Sequence, residues 1–367
     1  MMVGAKGGAM VGKVLNRFWS SRFVAGSSVK ALREHLGVWI KDRWRYERSL
    51  RSGSKAYLSL CNRYEKLSRA PDGTGYACQW RFTSKLHAPG LHPDLGLRLL
   101  RRCLDDAPIK RREVPRPFTG RPQISVLIGH RGLTRLPLLL ATLETFAAQE
   151  AIALEALVIE QSSSIEIADA LPRWVRHIHA PLADPSAPYN RSQTFNVGAA
   201  HARSDVLLLH DNDMLVPSGY TRRILERVNS GFEVVNPKRY IFYLDQRHTL
   251  EHLSSKLAPY DGEAPEAIVQ NLEAGGSMAI TADAYGAIGG MDEEFVGWGG
   301  EDNEFWDRCL TRQTWIWGYE PIIHLWHQGQ PLKQTSDNPN IKRAREVMKQ
   351  PAHQRIGRLR HQRNISV

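Results

Sequence analysis

Between residues 121 and 345 short apolar runs alternate with segments of helical period. Residues 124–128, 156–160 and 206–209 are nearly unbroken apolar rows of strand length, the pattern of strands covered on both faces, as in parallel sheets. Helices are predicted over 136–149, from about 192, over 218–228 and over 301–309. Strand and helix in turn predict an α/β fold, a mostly parallel sheet flanked by helices. Trp315 and Trp317 alternate as on a strand and read as core, and no internal repeat is present.

The first third reads differently. Over residues 30–48, Leu32, Leu36, Trp39 and Ile40 recur at helical spacing with basic residues on the other faces. Such a helix serves equally for docking on the rest of the chain and for lying on a membrane surface. Turn signals fill 71–75 and 87–93, and prolines at 115, 117 and 122 mark an extended linker. The expected organisation is a basic, largely helical appendage (1–120), an α/β domain (121–345) and a peripheral basic tail (346–367).

Charge sharpens that division. The net charge is +11, yet residues 1–120 hold 24 Lys and Arg against 9 Asp and Glu, so the remainder is slightly acidic. A basic appendage suits an anionic membrane surface. Nucleic acid is not expected, because no groove-reading or base-stacking motif accompanies the charge. The chain has no apolar run long enough to span a bilayer, and its first dozen residues lack the apolar centre of a signal peptide. Four cysteines (61, 78, 103 and 309) show neither zinc spacing nor a disulfide framework. Cytoplasmic residence is expected, peripheral on the cytoplasmic membrane face, with the Asn-x-Ser triplets at Asn190 and Asn364 unmodified.

Three stretches carry chemistry. In 295–304, Trp298 stands among Gly297, Gly299 and Gly300 and is followed by Glu301 and Asp302. Glycines let a bulky ring move, and a carboxylate behind it suits general-base chemistry with water shut out. An acidic surface turn or a helix first turn would read the same way. Asp211 and Asp213 follow the 206–209 strand, where ligands bind in open α/β sheets; they are hard donors for a cation on a diphosphate, or turn residues. His324 and His327 can converge on one metal, or pack as one buried and one exposed ring. With Asp213 the donor set becomes two nitrogens and an oxygen, which fits Mn²⁺ better than Mg²⁺, although Mg²⁺ remains possible.

With these blocks in this order, residues 121–345 resemble a GT-A (Rossmann-like) glycosyltransferase of the β-1,4-galactosyltransferase group and its bacterial relatives. The 124–131 block resembles the first strand and its nucleotide-contacting arginine, Arg131, and the 157–161 block the next strand; 189–198 resembles the segment with a second diphosphate arginine, Arg191. The family's first strand commonly ends in Pro, an aromatic and two arginines, whereas 129–133 here reads Gly-His-Arg-Gly-Leu, with one arginine of that pair missing. Gly276 falls in the acceptor-side Gly-Gly segment. The resemblance implies Asp213, His324 and His327 as metal ligands and Asp211 as a donor contact. It implies Asp302 as catalytic base, with Glu301 and Trp298 on the acceptor. The implied function is metal-dependent, inverting transfer of a sugar, galactose or an N-acetylhexosamine, from a UDP-sugar to a glycan or glycolipid hydroxyl, in cell-surface polysaccharide or lipid-linked glycan synthesis. A metal-dependent nucleotide-sugar hydrolase and a non-catalytic carbohydrate- or membrane-binding protein are the alternatives.

Overall fold

The computed structural model describes residues 29–79, 83–255, 263–271, 273–329 and 337–363. Residues 1–28 and Asn364 lie outside the described residues. Among the described residues, no helix is long and apolar enough to cross a membrane.

A seven-stranded sheet forms the frame, in the order Thr314–Trp315, Val234–Val235, Ser277–Thr281, Val206–His210, Ile124–His130, Leu154–Ser162 and Val175–Pro181. The last four are parallel, and Ser277–Thr281 runs antiparallel beside Val206–His210. Alternation along each central strand feeds two cores. Val126, Ile128 and Leu208 join the layer holding helices Leu136–Ala147 and Tyr220–Asn229. Leu127, Leu207 and Leu209 join the layer holding Arg191–His201 and Glu301–Cys309. Both faces are covered, which is why these strands read as unbroken apolar rows. This is the expected mixed α/β architecture, consistent with a GT-A fold.

A second, mixed sheet was not anticipated. It orders Ser84–Lys85, Ala267–Gln270, Lys238–Tyr243, Glu320–His324 and Met214–Leu215. Two-residue strands leave no period to read, and Ser84–Lys85 comes from the expected appendage. That first third is packed onto this sheet: Val38, Tyr46, Leu95, Leu99 and Cys103 share a core with Tyr240, Phe242 and Ile323. Arg239, buried, donates to the Leu58 and Leu60 carbonyls, both at 2.7 Å, and Tyr240 Oη donates to Leu60 at 2.6 Å.

Two expectations are corrected. The helix Val29–Lys41 turns Val38 inward, whereas Leu32, Leu36, Trp39 and Ile40 are exposed; their spacing marked an amphipathic face, but not the docked one. The basic C-terminus is not a peripheral tail. Helix Ala352–Gln362 buries Leu359 and Arg355, whose Nη1 donates to Glu304 Oε1 at 2.6 Å. Buried Arg308 grips the same carboxylate at 2.7 and 2.8 Å. Basic letters read as solvated charge, yet here they neutralise a buried acid on the helix that begins with Glu301.

Candidate functional site

Register assembles the site. The Val206–His210 strand ends at Asp211, and after Asp213 the chain re-enters as Met214–Leu215, antiparallel to Glu320–His324 with Met214 opposite His324. The Leu325 N–H donates to the Asp213 carbonyl at 2.8 Å. This pairing brings together Asp213 and His324, far apart in sequence, and His327 follows three residues later. Ligand atoms of the three lie within 4.8 Å of one another. His327 Nε2 is 3.2 Å from Asp213 Oδ2, and His324 Nε2 is 3.9 Å from Oδ1. Asp213 is buried, and its Oδ1 accepts no hydrogen bond. An unbonded, buried carboxylate oxygen facing two imidazoles fits a divalent cation. Burial pushes the Asp213 carboxyl up, but His324, His327 and Arg135 together hold it below its ordinary value. Tyr243, beside His324 in the sheet, stacks on its ring at 4.2 Å.

Another His/carboxylate group, Asp245, His248 and Glu263, lies elsewhere. There the Glu263 N–H donates to His248 Nε2 at 2.9 Å, and His248 Nδ1 lies 3.4 Å from Asp245.

The acid pair is set by glycine geometry. Gly297, Gly299 and Gly300 have φ of 87, 106 and 84°, a left-handed region that side chains disfavour. The chain turns through them into helix Glu301–Cys309, placing both acids in its first turn. The loop is tied down: Asn340 Nδ2 donates to the Val296 carbonyl at 2.9 Å and Asn338 Nδ2 to that of Trp298 at 3.1 Å. Trp298 is partly exposed at the rim of the cleft.

Arg191 joins the acids. It opens helix Arg191–His201, which Asn190 caps by accepting from the Gln193 N–H. Its Nε donates to Asp211 Oδ1 at 2.9 Å, its Nη1 contacts Asp302, and Glu301 lies 4.0 Å away. Burial lowers the guanidinium's affinity for its proton, but these three acids more than restore it. Burial and the adjacent Asp302 push Glu301 up to about 8, against the pull of Arg191. Asp302 is raised by burial, with Arg191 opposing. Gly276, at φ 81°, accepts from the Asp211 N–H at 2.8 Å and lines the same cleft, just before rather than within its strand. Arg131 lines it too, with its Nη1 and Nη2 donating to the Ala187 and Pro185 carbonyls, each at 2.6 Å.

The cleft, about 570 Å³, therefore holds every residue expected from the sequence: Arg131, Arg191, Asp211, Asp213, Gly276, Trp298, Glu301, Asp302, His324 and His327. Two further cations were missed. Arg135 donates to His327 Nδ1 at 2.9 Å and lies 3.5 Å from Asp213 Oδ2. It stands in the short 3-10 turn Leu133–Arg135 before helix Leu136–Ala147, and no local pattern marked it. Buried Lys238 donates to the Glu273 carbonyl at 2.9 Å, and burial pushes it down to about 7 although Asp302 and Asp211 pull it up. Nothing in its local sequence marked it. His130 fixes the Asp-x-Asp turn by accepting on Nδ1 from Asn212 Nδ2 at 2.8 Å.

Comparison with known proteins agrees in kind. Residues 269–324 match the family described as the N-terminal domain of galactosyltransferase. The chain is also similar to beta-1,4-galactosyltransferase 5 of Sus scrofa, 28% identical over 125 residues. That match spans 33% of this chain and only 26% of the relative's length.

Proposed function

We propose that this chain, whose residues 269–324 match the family described as the N-terminal domain of galactosyltransferase, is a glycosyltransferase that moves a hexose from a UDP-sugar to a glycan hydroxyl with inversion. One observation carries this reading: the Asp213, His324 and His327 group and the Glu301–Asp302 pair open into a single cleft, with Arg191 between the acids. In this proposal Asp213, His324 and His327 would hold Mn²⁺, which when bound would supply positive charge for the departing diphosphate. Arg131 and Arg191 supply fixed positive charge on the donor side.

Asp302 takes the proton of the acceptor hydroxyl. That oxygen bonds to the anomeric carbon as the bond from carbon to the UDP oxygen breaks, and UDP leaves with the electron pair. A single displacement inverts the anomeric centre. Glu301, protonated near neutral pH, donates a hydrogen bond to the acceptor sugar. Trp298, carried between left-handed glycines at the rim, orders the acceptor and excludes water.

The donor sugar in this proposal is galactose or an N-acetylhexosamine, and the acceptor belongs to a cell-surface polysaccharide or lipid-linked glycan built on the cytoplasmic side. Four unpaired cysteines suit that compartment. UDP release should be screened across UDP-sugars with Mn²⁺ and a panel of acceptor sugars. Release that depends on acceptor, with a new glycoside formed, is expected. Free sugar as the sole product with every acceptor would make the protein a hydrolase, and no release with any donor would make it a binding protein.

A further inference from the structure

One face of the N-terminal helices is exposed among the described residues, and it has its own chemistry. Leu32, Leu36, Trp39, Ile40 and Trp44 recur at helical spacing across helices Val29–Lys41 and Arg43–Arg51, and all are exposed, Ile40 by 63% and Trp44 by 58%. The stripe runs into a shallow groove shared by Trp39, Ile40 and Trp44 with Arg43, Glu47, Arg48 and Arg51, in which Glu47 lies 3.6 Å from Arg43 and 3.3 Å from Arg51. Two exposed tryptophans in one contiguous apolar stripe make the kind of patch that marks an interaction site.

We propose that this stripe docks the protein on an anionic lipid bilayer, with the apolar and indole groups entering the headgroup boundary and the arginines meeting lipid phosphates. Charge complementarity selects this occupant. Residues 1–28 contain Lys6, Lys13, Arg17 and Arg22 and no Asp or Glu, so the chain's own N-terminus matches the stripe in sign and adds to its attraction for anions. The groove's three arginines outnumber its one acid, Glu47, so it presents net positive charge. Tryptophan beside arginine over an aliphatic face is the composition of helices that lie in a membrane interface. The proposal stands apart from the transferase reading, since no residue of the stripe lines the cleft.

Sedimentation of the full chain with vesicles tests it. One set contains phosphatidylcholine alone, and the other contains about one-third phosphatidylglycerol. The wild-type chain is expected to sediment with the anionic vesicles and to be released by salt at about 0.5 M. Trp39→Ala/Trp44→Ala should bind at least about tenfold more weakly with an unchanged melting temperature, because both rings are exposed. Arg48→Glu/Arg51→Glu should lose the preference for anionic lipid. Wild-type protein left in the supernatant with both vesicle types, or tryptophan and arginine variants that bind as wild type does, would overturn the proposal. So would a dimer broken by the tryptophan variant without any vesicle binding, which would assign the stripe to a second copy.

Discussion

Glu301 keeps its proton to about pH 8 because burial and Asp302 outweigh Arg191, and this has a measurable consequence. A carboxyl raised in the folded state contributes its stability below its ordinary value of 4.5 and loses it as pH rises through about 8. Glu301→Gln should therefore gain melting temperature relative to wild type across that window. A difference flat from pH 5 to about 9 would contradict the shift. Arg135 offers a second test. Its guanidinium competes with a cation for Asp213 and His327, so Arg135→Met should tighten Mn²⁺ binding by about three- to tenfold in calorimetry, and weaker binding would remove it from that role. Asp211, Asp213 and Asp302 were legible as candidates because a strand end and a glycine turn set acids where ligands bind, although turns and helix starts carry acids too. Lys238 was not, since its chemistry comes from burial against Asp302 and Asp211, which no local pattern records.

The loop at 295–300 works as an element because its glycines are required. A Cβ on Gly300 would lie 2.8 Å from both the Ala344 Cβ and the Asn340 carbonyl, at a φ of 84°. Gly300→Ala should cost about 2–4 kcal/mol and reduce transfer, because the same turn aims Glu301 and Asp302. Gly357→Ala, within helix Ala352–Gln362 and with nothing within 4 Å of the added Cβ, should instead stabilise by about 0.5–1 kcal/mol. Chemical denaturation of the two variants checks both; equal effects would mean that the loop tolerates side chains. The long strands and the helix after Glu301 could be read from periodicity. The pairing of Met214–Leu215 with Glu320–His324 could not, because two-residue strands have no period and their register is set only by the assembled sheet.

At the scale of the molecule, the basic first third is part of the structure that supports the site. Its core with Tyr240, Phe242 and Ile323 backs the sheet whose neighbouring strand ends in His324. Removing residues 1–106 should abolish cooperative unfolding, and Leu99→Ala in the full chain should cost about 2–5 kcal/mol. A truncated chain that melts like wild type would show the two parts to be independent. Charge asymmetry revealed a distinct region, but composition does not distinguish a docked helix from a solvated one, and so the docked face was missed. The measurement that bears most directly on the catalytic centre is calorimetric titration of Mn²⁺ into wild-type, Asp213→Ala and Asp302→Asn proteins, with transfer assayed on each. Wild type and Asp302→Asn should each bind one ion, Asp302→Asn should lose transfer by at least about a thousandfold, and Asp213→Ala should lose the ion. Unchanged Mn²⁺ affinity in Asp213→Ala, or unchanged turnover in Asp302→Asn, would contradict a metal held opposite a catalytic base in this cleft.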